Sequence, residues 1–244
     1  MKSHLVGTSV LVTGGNSAIG RATSLRLAGL GAHVVLSGRD RSHGEELAEE
    51  IRRNGGRADF VVAGPRDEAS ARALAARARQ LAGKIDVLVN NADAYTFGPT
   101  EDTTEDEFDA IVALNVKAPF FLVAELAPDM AKRGDGAIIT VATTDSELET
   151  AGMGLYGSTK AAMVELTRSW AAEYGPRGVR VNAVSPGPSG TAGATDLGQA
   201  VSTSPAARAY TAANVAEAIA FLTEQGSIVP PGALLPVDGV QLVV

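Results

Sequence analysis

The 244-residue chain contains no cysteine, which removes disulfides, thiol nucleophiles and cysteine-ligated metals together. Histidine is nearly as scarce. His4, His33 and His43 all fall near the start, in no ligand-like spacing, so neither a metal site nor a histidine-based triad is expected. Positive charge is also in deficit: 21 basic against 28 acidic residues give a formal net charge of −7, and a global basic footprint for nucleic acid is missing. No uninterrupted apolar run reaches the roughly 18 residues that a membrane helix needs. The opening Met1-Lys2-Ser3-His4-Leu5-Val6-Gly7 has no signal-peptide core. The expectation is a soluble, cytoplasmic protein with neither a membrane nor a nucleic-acid partner. What is present is 45% hydrophobic and 20% charged residues, enough for a sizeable core.

Short apolar runs alternate with amphipathic stretches from end to end. Val10-Leu11-Val12, Val34-Val35-Leu36, Phe60-Val61-Val62, Val87-Leu88-Val89, Ile138-Ile139-Thr140-Val141, Val179-Arg180-Val181 and Leu234-Leu235 read as buried strands. Helical patterns lie over 20–30, 42–53, 68–82, 104–132, 157–174 and 212–224. This alternation predicts an α/β fold, a doubly wound parallel sheet of about seven strands with helices on both faces, in one domain over 1–244. Thr104-Glu105-Asp106-Glu107 reads as a capping box, and Pro119 predicts a break near Asn115 to Pro119. The Gly-, Pro-, Ser- and Thr-rich stretch at 186–211 reads as a mobile loop.

Thr13-Gly14-Gly15-Asn16-Ser17-Ala18-Ile19-Gly20 follows the first strand and opens a helix. That context suits a dinucleotide pyrophosphate at a helix N-terminus. Gly14 permits the tight turn, Ala18 leaves backbone approachable, and Gly20 allows close helix–strand packing. At the end of the second strand Gly38 stands where a ribose-binding carboxylate is expected, and Arg39 follows. This favours NADP(H) over NAD(H); the less favoured reading makes Arg39 a solvated residue paired with Asp40. Further on, Tyr156-Gly157-Ser158-Thr159-Lys160 puts a phenol and an ammonium one helical turn apart. A neighbouring cation stabilises phenolate and brings a phenol toward the working range of a general acid/base.

With these motifs in this order, the chain resembles the short-chain dehydrogenase/reductase family over nearly its whole length. Asp86-Val87-Leu88-Val89-Asn90-Asn91-Ala92, Leu114-Asn115-Val116, Asn182, Pro186-Gly187, Thr191 and Val237-Asp238-Gly239 add to the likeness. The resemblance implies a Rossmann-type fold and makes Tyr156 the acid/base. It makes Lys160 the ligand of the nicotinamide ribose, and Asn115 the holder of a relay water. Asn91 and Ala92 join the cofactor contacts by the same likeness. Pro186, Gly187 and Thr191 would contact the nicotinamide end, beneath a substrate loop at about 188–211.

The chain departs from that pattern in places. Thr143 stands thirteen residues before Tyr156, where serine is usual; it keeps a hydroxyl for the substrate carbonyl but narrows the pocket. Asp93 replaces the glycine that normally closes Asn-Asn-Ala, and Gly64 replaces the aspartate that usually follows strand three. Both changes are expected on the adenosine side of the cofactor. Val240 replaces the second glycine of the terminal pair, a change expected to concern subunit packing. Asp145, Glu147 and Glu149 would border the site mouth, opposite Tyr95 and Phe97. Two functions follow from the resemblance. One is an NADP(H)-dependent reductase or dehydrogenase acting on a small carbonyl/alcohol pair. The other, motivated by the departures at Thr143, Gly64 and Asp93 together, is a non-catalytic relative that senses nucleotide or serves in assembly. Surplus apolar residues on 104–132 and 157–174, among them Phe120, Phe121 and Trp170, point to a homodimer or homotetramer.

Overall fold

Each apolar run forms a strand whose successive side chains face opposite ways, and this sorts the core into two layers. The computed structural model describes residues 4–143, 151–186, 211–224 and 226–237. Its strands are β1 (Ser9–Thr13), β2 (His33–Gly38), β3 (Arg57–Val62), β4 (Val87–Asn90), β5 (Gly136–Val141), β6 (Val179–Pro186) and β7 (Leu234–Val237). They form one parallel sheet in the order β3-β2-β1-β4-β5-β6-β7. The helices are α1 (Ala18–Gly29), α2 (Arg41–Arg53), α3 (Glu68–Ala82), α4 (Glu105–Val112), α5 (Ala118–Arg133), α6 (Gly154–Tyr174) and α7 (Ala212–Thr223). Val10, Val12, Val34 and Leu36 bury against α1, α2 and α7. Their neighbours Leu11 and Val35 bury against α3, α5 and α6 on the other face. The doubly wound Rossmann-type sheet expected from the sequence is the one observed.

Two local expectations gain detail. The break near Pro119 is a π-helical turn at Ala113–Lys117, which separates α4 from α5. Pro119 has no N–H for the carbonyl of Asn115, four residues back, so the regular ladder cannot continue there. The capping box at Thr104 is only half made. Thr104 accepts from Glu107 N at 3.2 Å, but the Glu107 carboxylate takes the Thr96 hydroxyl instead of returning to the cap. A tertiary partner has outcompeted the local one. By length and apolarity alone the stretch Glu105–Arg133 would suffice to cross a membrane, but half of its most apolar 18-residue window is buried inside the fold.

Chain order reverses between β1 and β4, so their carboxyl ends diverge into the crevice where open α/β sheets bind ligands. The glycine-rich turn leaves β1 at that crevice, and Asn91 to Phe97 leave β4 beside it.

Candidate active site

The turn after β1 is held open by backbone geometry that side chains would destroy. Gly14 has φ +62°, and a Cβ there would come 2.8 Å from Ala92 Cα. A Cβ on Gly20 would come 2.1 Å from the Gly14 carbonyl oxygen. Ser17 caps α1, accepting from Gly20 N at 3.1 Å, and the first helical bond runs from Arg21 N to Ser17 O. Ala18 and Ile19 therefore lie in the first turn, ahead of any intrahelical donor bond, where N–H groups favour an anion. These features fit a dinucleotide pyrophosphate.

Asn91 lies beneath the turn. Its buried amide donates to Thr13 O at 2.9 Å, Gly14 O at 3.0 Å and Ser17 Oγ at 3.1 Å, so it clamps the turn. Thr13 completes the clamp: its hydroxyl accepts from Asn91 N and Ala92 N, both at 3.0 Å. Thr13 was not singled out from the sequence, although a hydroxyl placed between strand and first glycine was the available signal. Asn16 lies at the end of β2; a Cβ on Gly38 would meet its Oδ1 at 2.6 Å. Arg39 is exposed and does not pair with Asp40, whose carboxylate caps α2 through His43 N and contacts the His43 ring. The Arg39 stem instead lies over Gly64, where a Cβ would stand 3.0 Å from Arg39 Cγ.

The second half of the site sits on α6, which starts at Gly154 and so includes Tyr156 in its first turn rather than beginning after it. Lys160 is 4% exposed, donates to Val141 O at 3.3 Å, and its Nζ stands 5.3 Å from the Tyr156 ring centroid. Tyr95 packs edge-on against Tyr156, with centroids 5.1 Å apart, and its hydroxyl reaches Met153 Sδ at 3.2 Å. Asn115 is buried in the π turn. Its side chain grips Ala94 N and O at 2.8 and 2.9 Å and donates to Thr159 Oγ1 at 3.1 Å. The amide thus ties the segment after β4 to α6. Thr143 is buried just past β5, and Pro186 ends β6. Gly187, Thr191, the 188–211 loop up to Tyr210, the acidic segment 144–150, Asp238-Gly239 and Val240 lie outside the described residues.

One expectation is overturned. Asp93 does not stand on the adenosine side; its Oδ2 is 3.1 Å from the Tyr156 hydroxyl and 2.9 Å from Lys160 Nζ. The grip of Asn115 on Ala94 places the residue before it over α6. Gly64 remains beside Arg39, so the two departures cannot compensate for one another across the adenine pocket.

The short chain dehydrogenase family model matches residues 8–202. The chain belongs to the short chain dehydrogenase family. As a member it is an oxidoreductase that works with a nicotinamide dinucleotide. Among curated relatives, the 3-oxoacyl-[acyl-carrier-protein] reductase of Thermotoga maritima is 31% identical over 97% of this chain and 98% of its own. A solved short chain dehydrogenase/reductase family protein is 40% identical with TM-score 0.87, covering 97% of each chain. A metagenomic short-chain oxidoreductase in complex with NADP is 30% identical (TM-score 0.82, 95% of this chain and 97% of that one). NAD+-bound xylitol dehydrogenase is 27% identical (TM-score 0.88, 97% and 99%).

Proposed function

We propose that this dehydrogenase interconverts a carbonyl compound and its secondary alcohol with NADP(H), using Tyr156 as general acid/base. The carrying observation is the Tyr156–Lys160 pair, a phenol beside a buried ammonium at the crevice that also holds the glycine-rich turn. When bound, the dinucleotide supplies hydride chemistry at its nicotinamide. Tyr156 would give its proton to the carbonyl oxygen in reduction, and its phenolate would take the alcohol proton in oxidation, with the dinucleotide as hydride donor or acceptor. Thr143 donates its hydroxyl to the substrate oxygen and orients it. Lys160 holds ribose hydroxyls and favours phenolate. The Asn115 carbonyl, which Pro119 cannot satisfy, is the acceptor for a relay water. Ser17 and the first turn of α1 hold the pyrophosphate, and Pro186, Gly187 and Thr191 meet the nicotinamide end.

NADP(H) is preferred because Gly38 leaves no carboxylate against a 2′-phosphate and Arg39 has no competing bond to Asp40. The similar structures hold either dinucleotide, so the preference rests on these residues. The non-catalytic alternative loses its motive. Thr143 keeps a buried hydroxyl, Gly64 makes room for Arg39, and Asp93 engages the tyrosine–lysine pair rather than separating it. Phe108 and Phe120 lie exposed on α4 and α5, supporting association into a homodimer or homotetramer, which light scattering at micromolar concentration tests. A panel of ketones and aldehydes with NADPH or NADH, followed by absorbance, tests the activity. Tyr156→Phe should lower kcat by about 10²–10⁴-fold with an unchanged melting temperature. Full activity in that variant refutes the assignment.

A further inference from the structure

Asp93 brings a negative charge to the two groups on which the proposed chemistry depends. Its Oδ2 is shared by the Tyr156 hydroxyl at 3.1 Å and the Lys160 ammonium at 2.9 Å. An ionised carboxylate can only accept hydrogen bonds, so the contact with Tyr156 exists only while the phenol keeps its proton. Once the phenol ionises, two anionic oxygens face each other at that distance. Lys160 acts in the opposite sense, since an ammonium beside the ring favours phenolate. Here, however, the ammonium is itself paired to Asp93, and the carboxylate compensates much of its field at the phenol. The ionisable groups of the described residues that meet Tyr156 are Asp93, Lys160 and Tyr95, the last through its ring edge.

We propose that Asp93 is a positioning residue that keeps Tyr156 protonated at neutral pH, setting the site as a proton donor suited to carbonyl reduction. Its proton-accepting form, which alcohol oxidation needs, is then reached only in more alkaline solution. The enzyme cannot move the equilibrium between alcohol and carbonyl; Asp93 sets the pH at which each direction runs fast. This rests on Tyr156 being the acid/base. The carboxylate is 41% exposed whereas the Lys160 side chain is 5% exposed. Water therefore screens Asp93 partly, and the expected displacement is about one pH unit rather than several.

The test reads the phenol directly, with neither cofactor nor substrate. Ultraviolet titration of tyrosinate, taken as wild type minus Tyr156→Phe, isolates one of the four tyrosines. The same difference is taken in Asp93→Asn and Asp93→Gly backgrounds. Asp93→Asn keeps the shape and removes the charge, so it serves if the glycine variant fails to fold. Both backgrounds should ionise Tyr156 about one pH unit lower than wild type. The rising limb of alcohol oxidation should move with it, making oxidation about tenfold faster on the acid side of the wild-type limb. An unmoved Tyr156 midpoint in Asp93→Asn overturns the proposal, whatever the turnover. A moved midpoint in a protein that turns over no carbonyl upholds the electrostatic role and overturns the catalytic reading instead.

Discussion

The glycine-rich turn and the head of α6 both lie at the carboxyl end of the sheet but are built by opposite means. The turn is specified by missing side chains. Gly14 and Gly20 leave space that a single methyl would fill, and the polar groups below are consumed by Thr13 and Asn91 within the protein. The head of α6 is specified by side chains with charge and protons to give, on a first helical turn that no side chain caps. On the proposed function the first region would bind through rigidity, and the second would react through groups that can change state. Substitutions in the turn should act on folding and cofactor affinity together. Those at Tyr156 should act on rate alone.

The sharpest break in that comparison is Gly20→Val. The side chain has to enter the Gly14 carbonyl, so either α1 or the turn must move. Loss of detectable dinucleotide binding by titration is expected, with a stability loss of about 1–3 kcal/mol by chemical denaturation. Thr13→Val is subtler in shape and comparable in stability. It leaves the Asn91 and Ala92 N–H groups buried without their acceptor, a cost of about 1–3 kcal/mol, and weakens dinucleotide binding without touching α6. Retained affinity in Thr13→Val would mean that the turn does not need its clamp.

The two regions also differ in how far they could be read before folding. The turn is local: one strand, two glycines and a cap within eight residues dictate it, and the sequence reading placed it correctly. The break near Pro119 was equally legible, though not its π-helical form, because Pro119 denies a donor to the carbonyl four residues back. Asp93 was visible as a departure yet was assigned to the wrong end of the cofactor. Its partners lie on α6, sixty-three residues away from it at Tyr156, and the Asn115 grip on Ala94 helps to bring them together. Gly64 was puzzling for a similar reason. Its meaning depends on β2 pairing with β3, which carries Arg39 across it. Asn91, expected at the cofactor by likeness alone, also has a structural task that the sequence did not show, since its amide donors hold the turn. Periodicity and capping follow from neighbours in sequence, whereas these assignments depend on neighbours in space.

Arg39 offers a smaller test of cofactor choice. Arg39→Ala should weaken NADPH about tenfold or more while leaving NADH nearly unchanged, the loss expected for one charge-assisted bond. Gly64→Asp should act in the same direction, because the new Cβ crowds the Arg39 stem and its carboxylate opposes a 2′-phosphate. If both variants leave the NADPH-to-NADH ratio intact, Arg39 is a surface residue after all.

The smallest effect concerns charge that serves the framework rather than the site. Glu125 on α5 is gripped by Arg79 and, at 2.6 Å, by Arg72 from α3. Hydrogen bonding to Arg79 first, and to Arg72 after burial has opposed it, holds its carboxyl below the usual carboxylate range. A carboxyl that is more acidic in the folded chain stabilises it above the unfolded group's titration range, and that contribution disappears as pH falls through the folded value. Glu125→Gln should therefore cost about 1 kcal/mol at neutral pH, and the difference from wild type should close as the solution is acidified. The same substitution should leave the pH profile of turnover unmoved, because it lies in the α3–α5 layer and not on the Tyr156 network. A shifted profile would show that ionic contacts far from the crevice tune the phenol, and the division between a rigid binding half and a titrating reactive half would no longer hold.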